Sequence, residues 1–463
     1  MPIDIQQLIT DRSRDKYETY DRHLNSQMVR VLRTIGFDRN YVRGQGAYLF
    51  DQDGNRYLDL LSGFGVFAVG RNHPTVIGAL QQVLTAELPN LVQMDVSVLS
   101  GLLAERLLPH LAGMDKMFFC NSGAEAVEAA MKFSRAATGR KRILFCHHAF
   151  HGLTYGALSL NGDDNFRNGF EPLLPDCDAV AFNDLGELEA ALAAGDVAAF
   201  IVEPIQGKGV NMPDDNYLPE AARLCRKYGA LFVADEIQTG LGRTGRFLAL
   251  DHWGAEADMV LLAKALSGGF VPVGAVAMRK PIFNKIFDRM DRAVVHGSTF
   301  AKTDIAMAAG LATLQVLEDE KLIANAAAIG EQIRADLAAM IGRYEFVKDV
   351  RGKGLMIAIE FGPPKSLTLK AAWALLEQAR KGLFCQLITI PLLKQHRMIS
   401  QVAGYGMNVI KLIPPLTLTQ DDRGWIRDGF DQVVADSHRV PGAIWDLGRT
   451  LASHSLKGRS SAA

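Results

Sequence analysis

The sequence predicts an α/β fold, with a mostly parallel sheet covered by helices in a large domain and a smaller α+β domain attached to it. Three observations predict it. First, three short apolar runs each lead into one ionisable residue: 198–202 (AAFIV) into Glu203, 231–234 (LFVA) into Asp235, and 259–263 (MVLLA) into Lys264. Uninterrupted apolar runs of this length mark strands buried on both faces, as in a parallel sheet covered by helices. Second, strand-like runs alternate with helix-like segments from about Pro74 to Glu320, which is the pattern of crossover units. Third, from about residue 330 the pattern changes to long amphipathic helices with a few strands, at 355–361 and 409–412. The expected division is an N-terminal segment over 1–73 packing with the small domain, a large domain over 74–330, and a C-terminal small domain over 331–463.

The elements follow in order. Residues 11–35 are expected to form a helix. Residues 41–59 (YVRGQGAYLFDQDGNRYLD) alternate apolar and polar side chains around Asp53-Gly54, a hairpin signal. Strands are expected at 116–120 (KMFFC) and 143–146 (ILFC), then at the three runs above. Between Glu203 and Asp235, Pro219 and Glu220 mark a helix start and Gly229 its stop. Only residues 265–272 separate the strand of Lys264 from the next run, 273–278. That is too short for a crossover, so this strand is expected to turn back antiparallel. The tail 453–463 (SHSLKGRSSAA) has the composition of a disordered segment.

Composition excludes several classes. The net charge is −1 over 463 residues, which leaves no electrostatic footprint for nucleic acid or an anionic membrane surface. No apolar stretch approaches a transmembrane span, and the charged N-terminus lacks a signal-peptide core. Five cysteines, odd in number and without C-x-x-C spacing, predict free thiols in a reducing cytoplasm.

In a parallel sheet, ligands bind at the carboxyl ends of the strands. Glu203, Asp235 and Lys264 at three strand ends are therefore expected to converge on one crevice. Three strands that end where solvent begins would give each signal singly. Asn121-Ser122-Gly123-Ala124-Glu125 follows an apolar strand and opens a helix, where free N–H groups and the helix dipole attract phosphate. An ordinary N-cap at Ser122 gives the same local pattern. There is no G-x-G-x-x-G after a strand, and QGKG at 206–209 is not a Walker motif. Neither a dinucleotide nor ATP is implied. A lysine at the end of an apolar strand resists protonation, and a neutral amine is the form that makes a Schiff base. A lysine that reaches out to solvent is the alternative. Asp235 tips the balance, because a Schiff-base lysine plus an acid for the pyridinium nitrogen is the pattern of a pyridoxal phosphate site.

The segments NSGAEAVEAAMK (121–132), FHG (150–152), EPIQG (203–207), DEIQTGLGRTG (235–245), LLAKALSGG (261–269) and HGSTF (296–300) resemble the class III pyridoxal-phosphate aminotransferases of fold type I. These include the ornithine, acetylornithine, 4-aminobutyrate and diamine enzymes. GRNHP (70–74) and VRGKGLMIAIEF (350–361) match as well. The resemblance runs in order over about residues 40–420, and the D-E-x-Q-T-G…K combination is its most specific part. It implies a seven-stranded, mostly parallel sheet, pyridoxal 5'-phosphate as cofactor, and a homodimer with shared active sites.

It also implies a role for each matching residue. Lys264 would carry the cofactor and then move the proton, and Asp235 would hold the ring nitrogen protonated. Gln238 would bond the ring hydroxyl, Ile237 pack under the ring, and Phe150 stack over it, with His151 in the same loop. Ser122, Gly123 and Ala124 would bind the phosphate, as would Thr299 from the partner subunit. Glu203 falls where relatives carry a substrate-pocket acid, and Phe64, Val66 and Phe67 where they line the substrate tunnel. His147, His148 and His151 invite a metal reading, but they fall where a strand runs into a loop, so no metal is expected.

Departures bear on substrate. Where many relatives carry an arginine that grips a carboxylate, this chain has Lys411 in NVIKLIPPL, a point charge without the planar fork. A Glu203–Lys411 pair, direct or through water, is expected to mask that cation. The apolar segment 386–407 and the Phe64–Val66 region suggest an extended hydrophobic amine, and core or dimer packing explains them equally. The expected activity is exchange of an amino group between a primary, terminal amine and a keto acid or aldehyde by a ping-pong route. The amine could be a diamine, an ω-amino acid or a lipid-like molecule such as a hopanoid side chain. An aminomutase, a decarboxylating transaminase, or a non-catalytic relative would share the motifs.

Overall fold

The computed structural model describes residues 3–92 and 95–439, with the separate positions 442, 445, 446 and 448. The tail 453–463 lies outside the described residues.

The single helix expected over 11–35 is replaced by three, Ile5–Arg12, Lys16–His23 and Ser26–Ile35, with a 3-10 turn at Ser13–Asp15. The last break has a local cause. Leu24 leaves the helical region (φ −127°, ψ −91°), and the Asn25 side chain accepts from Met28 N–H to start a new helix. Next come β1 (Tyr41–Gln45), β2 (Tyr48–Asp51) and β3 (Arg56–Asp59). Asp53-Gly54 turns β2 into β3 as expected, with the Asp51 carboxylate accepting from the N–H groups of Asp53 and Asn55. A second turn, between β1 and β2, was hidden inside the same alternating run.

The central sheet is built from β4 (Lys116–Cys120), β5 (Arg142–Cys146), β6 (Cys177–Val180), β7 (Val197–Val202), β8 (Leu231–Asp235), β9 (Met259–Leu262) and β10 (Gly274–Met278). Its order is β4-β10-β9-β8-β7-β5-β6. The pairs among β5 to β9 are parallel, and β10 runs antiparallel to both β9 and β4. The short 265–272 connection thus does what its length demands. Every residue of β7, β9 and β10 is buried, which explains the uninterrupted apolar runs. The helix Tyr217–Tyr228 joins β7 to β8 and stops at Gly229, whose φ of 69° suits glycine.

The C-terminal part forms β11 (Val347–Lys353), β12 (Met356–Phe361), β13 (Met398–Ile399), β14 (Gln401–Val402) and β15 (Val409–Leu412). An antiparallel sheet has the order β11-β12-β15-β14, while β13 adds in parallel to β3. Backbone bonds from Ile413 to Leu60 and from Leu416 to Ala68 continue this seam.

Of the two readings of 386–407, the structure favours packing for its first half. Its first half lies in the helix Phe384–His396, whose residues from Phe384 to Leu393 are all buried except Gln386. A helix apolar on every side is a core helix, and this one packs against the helix Gln420–Ser437 and the strands β13 to β15. Its apolarity serves packing. Among the described residues no helix is long and apolar enough to cross a membrane.

Candidate active site

Lys264 stands two residues beyond β9 and opens a short 3-10 turn over Lys264–Ser267. Its φ is +42°, a region that costs a side-chain-bearing residue about 1–2 kcal/mol and that recurs at functional sites. The amine has no hydrogen-bond or ion-pair partner among the described residues. Burial lowers its pKa, and the charges of Asp235 and Glu203 oppose that shift in part.

Asp235 ends β8 and is buried. Its Oδ2 lies 2.6 Å from His151 Nδ1, and its Oδ1 accepts from Ile237 N–H at 3.1 Å. Burial disfavours a charged His151 ring, but the hydrogen bond and charge of Asp235, with the charge of Glu203, outweigh it and raise its pKa. His151 Nε2 is buried and has no partner. His147 and His148 are exposed in the turn that follows β5. Among the described residues no group of three or more His, Cys, Asp or Glu is placed to hold a metal ion.

After β4 the chain enters the helix Gly123–Thr138. The Ser122 side chain caps it by accepting from Glu125 N–H at 3.1 Å. The N–H groups of Gly123 and Ala124 donate to nothing among the described residues. They stand at the positive end of a 16-residue helix. Gly123 is closely packed, because a Cβ there would lie 3.0 Å from two carbons of Ile237, which would have to shift. Ser122, Gly123, Ala124, His151, Ile237 and Lys264 share the wall of one cavity of about 480 Å³, together with Val66, Phe150, Phe270 and Val271. Asp235 is bonded to two of these wall residues.

Glu203 and Lys411 are both buried, and they do not pair directly. Glu203 Oε2 accepts from Phe150 N–H (3.0 Å) and its Oε1 from Gly207 N–H (2.9 Å). Lys411 Nζ donates to the Gly207 carbonyl (2.7 Å) and to Gln238 Oε1 (3.2 Å). The Gly207 residue therefore stands between the acid and the cation and satisfies both. It has no room for a side chain, since a Cβ would lie 2.6 Å from Gln238 Oε1 and 3.0 Å from Glu203 Oε1. Burial raises the pKa of Glu203. Burial also pulls Lys411 down to about 7, helped by the charge of Lys264 and opposed by that of Glu203.

The remaining expected residues separate. Gln238 Nε2 donates to the Phe64 carbonyl at 3.1 Å, while the Phe64 ring is 55% exposed and lies outside the cavity wall. Phe67 packs under the Arg71 guanidinium at 3.9 Å and against Gly269. Only Val66 of that trio reaches the cavity. Thr299 is exposed, on a loop where Ser298 Oγ accepts from Asn121 Nδ2 at 2.6 Å.

Two site neighbours have no role in the sequence reading. Lys208, set aside with QGKG, is buried and donates to Asp163 Oδ2 (3.0 Å) and Asn161 Oδ1 (3.3 Å). Its ammonium lies 4.4 Å above the ring of Phe166, which packs edge-on against Phe150. Arg243 is buried without a carboxylate partner among the described residues and donates to the carbonyls of Leu355 and Pro414, tying the segment after β8 to the ends of β12 and β15. A basic residue inside an otherwise buried run is the available hint for both.

The comparisons with known proteins agree with this geometry. The family profile described as aminotransferase class-III matches residues 33–434. Aminotransferase PigE from a Serratia species is 34% identical over 88% of this chain, which spans 52% of that relative's length. The acetylornithine aminotransferase of Bacillus anthracis is 36% identical, over 84% of this chain and 92% of its own. The solved ornithine aminotransferase of Toxoplasma gondii superposes with a TM-score of 0.81 at 30% identity, over 94% of this chain and 99% of the other. The chain belongs to the class-III aminotransferase family. The fold expected from the motifs, a mostly parallel seven-stranded sheet among helices, is the fold observed.

Proposed function

We propose that the chain is a pyridoxal-phosphate-dependent transaminase that takes the amino group of a primary, terminal amine and passes it to a keto acid or aldehyde. The observation that carries this reading is the unpartnered Lys264 amine, which shares its cavity with the free N–H groups of Gly123 and Ala124. The residues present fit the cofactor that the family implies. A phosphate has an anion-binding helix start, a carbonyl carbon has an amine kept short of protons by burial, and a ring nitrogen has a buried acid.

When bound, pyridoxal phosphate supplies an electron sink for the carbon that bears the amino group. The protein's part follows from its own groups. Lys264 Nζ, with its lowered pKa, would hold the cofactor and is the group placed to hold and move a proton at that carbon. Asp235 holds the proton on the ring nitrogen, and His151 fixes the acid's orientation at 2.6 Å. The amides of Gly123 and Ala124 bind the phosphate. Ile237 and Phe150, on the cavity wall, would enclose the ring, and Gln238 would bond the ring hydroxyl. Thr299, exposed on its loop, would hold the phosphate bound by a second protomer, which would make the working unit a homodimer. Highly exposed apolar side chains at Val96, Val98, Met290 and Val294 support such a partner.

The terminal amine is supported by the cavity wall. Val66, Phe150, Ile237, Phe270 and Val271 make it apolar, and Lys264 and His151 are its titratable side chains among the described residues. Among the described residues no arginine lines it to grip a carboxylate close to the reacting amine. A panel of amines against pyruvate, 2-oxoglutarate and aldehydes tests the reading. Diamines, ω-amino acids and alkyl amines are expected to donate. Absence of amino transfer from every donor would sink the activity, and a strong preference for α-amino acids would sink the substrate class.

A further inference from the structure

We propose that Lys411 is a positioning residue that fixes the side-chain amide of Gln238, and that it does not bind substrate. This rests on the cofactor reading above. A glutamine amide can sit in two orientations that differ by exchange of its oxygen and nitrogen. Here Lys411 Nζ faces one end at 3.2 Å and the Phe64 carbonyl faces the other at 3.1 Å. The Phe64 carbonyl can only accept and so selects the orientation that turns an amide N–H toward it, while the Lys411 amine holds the oxygen end in place. The flipped amide would set its oxygen against the Phe64 carbonyl, leaving both oxygens unsatisfied. In the selected orientation one N–H of Gln238 is used by Phe64, and the second is left for the ligand.

Three features separate Lys411 from a substrate-gripping cation. It is 5% exposed. It sits inside a β ladder, opposite Ala358 on one side and Gln401 on the other, so its backbone cannot swing toward a ligand. Its amine already donates to two acceptors, Gly207 O and Gln238 Oε1. A neutral lysine has two N–H groups, and these two acceptors use both. The lowered pKa agrees, with Lys264, Glu203 and Arg243 as its charged neighbours. Through one amine the residue joins the 203–207 turn, the Gln238 side chain and, by way of that amide, the backbone at Phe64.

A double-mutant cycle on the holoenzyme tests this, with Lys411→Met, Gln238→Ala and the double variant. The readouts are the pyridoxal phosphate dissociation constant and the pH midpoint of the bound cofactor's visible band. Each single variant is expected to weaken retention about tenfold, ~1.4 kcal/mol, and to shift the midpoint in the same direction. The double variant is expected to lose no more than Gln238→Ala alone. Additive losses overturn the proposal. So does a Lys411→Met variant with native retention and midpoint but a raised KM for the keto acid, the result for a carboxylate-gripping lysine. If Lys411→Met fails to fold, the wild type decides through competitive inhibition by butyrate and glutarate across pH. Inhibition that does not follow a titration near pH 7 supports the proposal. A fall in affinity through that range, with the visible band unchanged, overturns it. A wild type that binds no pyridoxal phosphate would instead strike the cofactor reading itself, and this inference with it.

Discussion

Two lysines of this chain share one environment and have opposite situations. Lys264 and Lys411 both sit at or near the end of an apolar strand, and burial lowers the pKa of both. Lys264 has left its strand through a left-handed residue and points a partnerless amine into the cavity. Lys411 remains in its ladder, with both N–H groups of a neutral amine taken by fixed acceptors. Burial sets the charge state of a lysine. Whether its hydrogen bonds are already spent sets whether it can react.

The largest expected effect breaks the comparison at its reactive end. Lys264→Ala should abolish turnover, while the fold and non-covalent cofactor binding survive. Turnover assays beside circular dichroism check this, and near-normal transamination would remove Lys264 from the mechanism. Next comes Asp235→Asn. A neutral amide keeps the shape but no longer balances a protonated ring nitrogen or a charged His151. A loss of about a thousandfold in kcat/KM, ~4 kcal/mol, is expected. Activity within tenfold of wild type would contradict the assignment.

What the sequence could show follows the same division. The places of Asp235 at the end of β8 and of Lys264 just beyond β9 were legible because buried parallel strands are uninterrupted apolar runs, and that of Ser122–Ala124 because a capping serine and a glycine open a helix just after a strand. The antiparallel β10 was legible because eight residues cannot hold a crossover. The pairing of Lys411 was not. Its partners Gly207 and Gln238 lie 204 and 173 positions away, and no local period encodes which of several buried polar groups will meet. The direct form of the expected Glu203–Lys411 pair does not occur, because one residue, Gly207, comes between them. The segment 386–407 stayed ambiguous for another reason. A helix apolar on every side has the same composition whether it lines a tunnel or fills a core. The break at Leu24 was readable, since Asn25 is a good N-cap, but it sat inside a run that otherwise suits a helix.

A smaller effect sharpens the comparison through the residue that both sides of the Glu203–Lys411 region share. Gly207→Ala would push a methyl group to within 2.6 Å of Gln238 Oε1. Overpacking of this kind costs about 1–3 kcal/mol. The amide of Gln238 must move, so cofactor retention should fall together with Tm. A variant with native retention would show that Gln238 has more freedom than its contacts allow.

The smallest expected effect concerns stability against pH, and it tests whether Lys411 is buried as a neutral amine. In the folded chain its pKa is about 7, against 10.5 for an ordinary lysine. Between those values the unfolded chain holds a proton on Lys411 that the folded chain does not. The unfolded state binds more protons there, so the linkage relation makes stability rise with pH across the window. Below about pH 7 both states are protonated, and the folded chain carries the cost of a buried cation. Lys411→Met removes this dependence and leaves the other titrating groups in place. The difference in Tm, wild type minus variant, should therefore move in favour of the wild type as pH rises from about 7 toward 10.5. A shift of a few degrees is expected, because water penetration and relaxation reduce burial penalties in real proteins. A difference that stays flat across the window would mean that Lys411 keeps its charge in the fold. A charged amine with a third donor to place would then be free to face a carboxylate, and the contrast with Lys264 would dissolve.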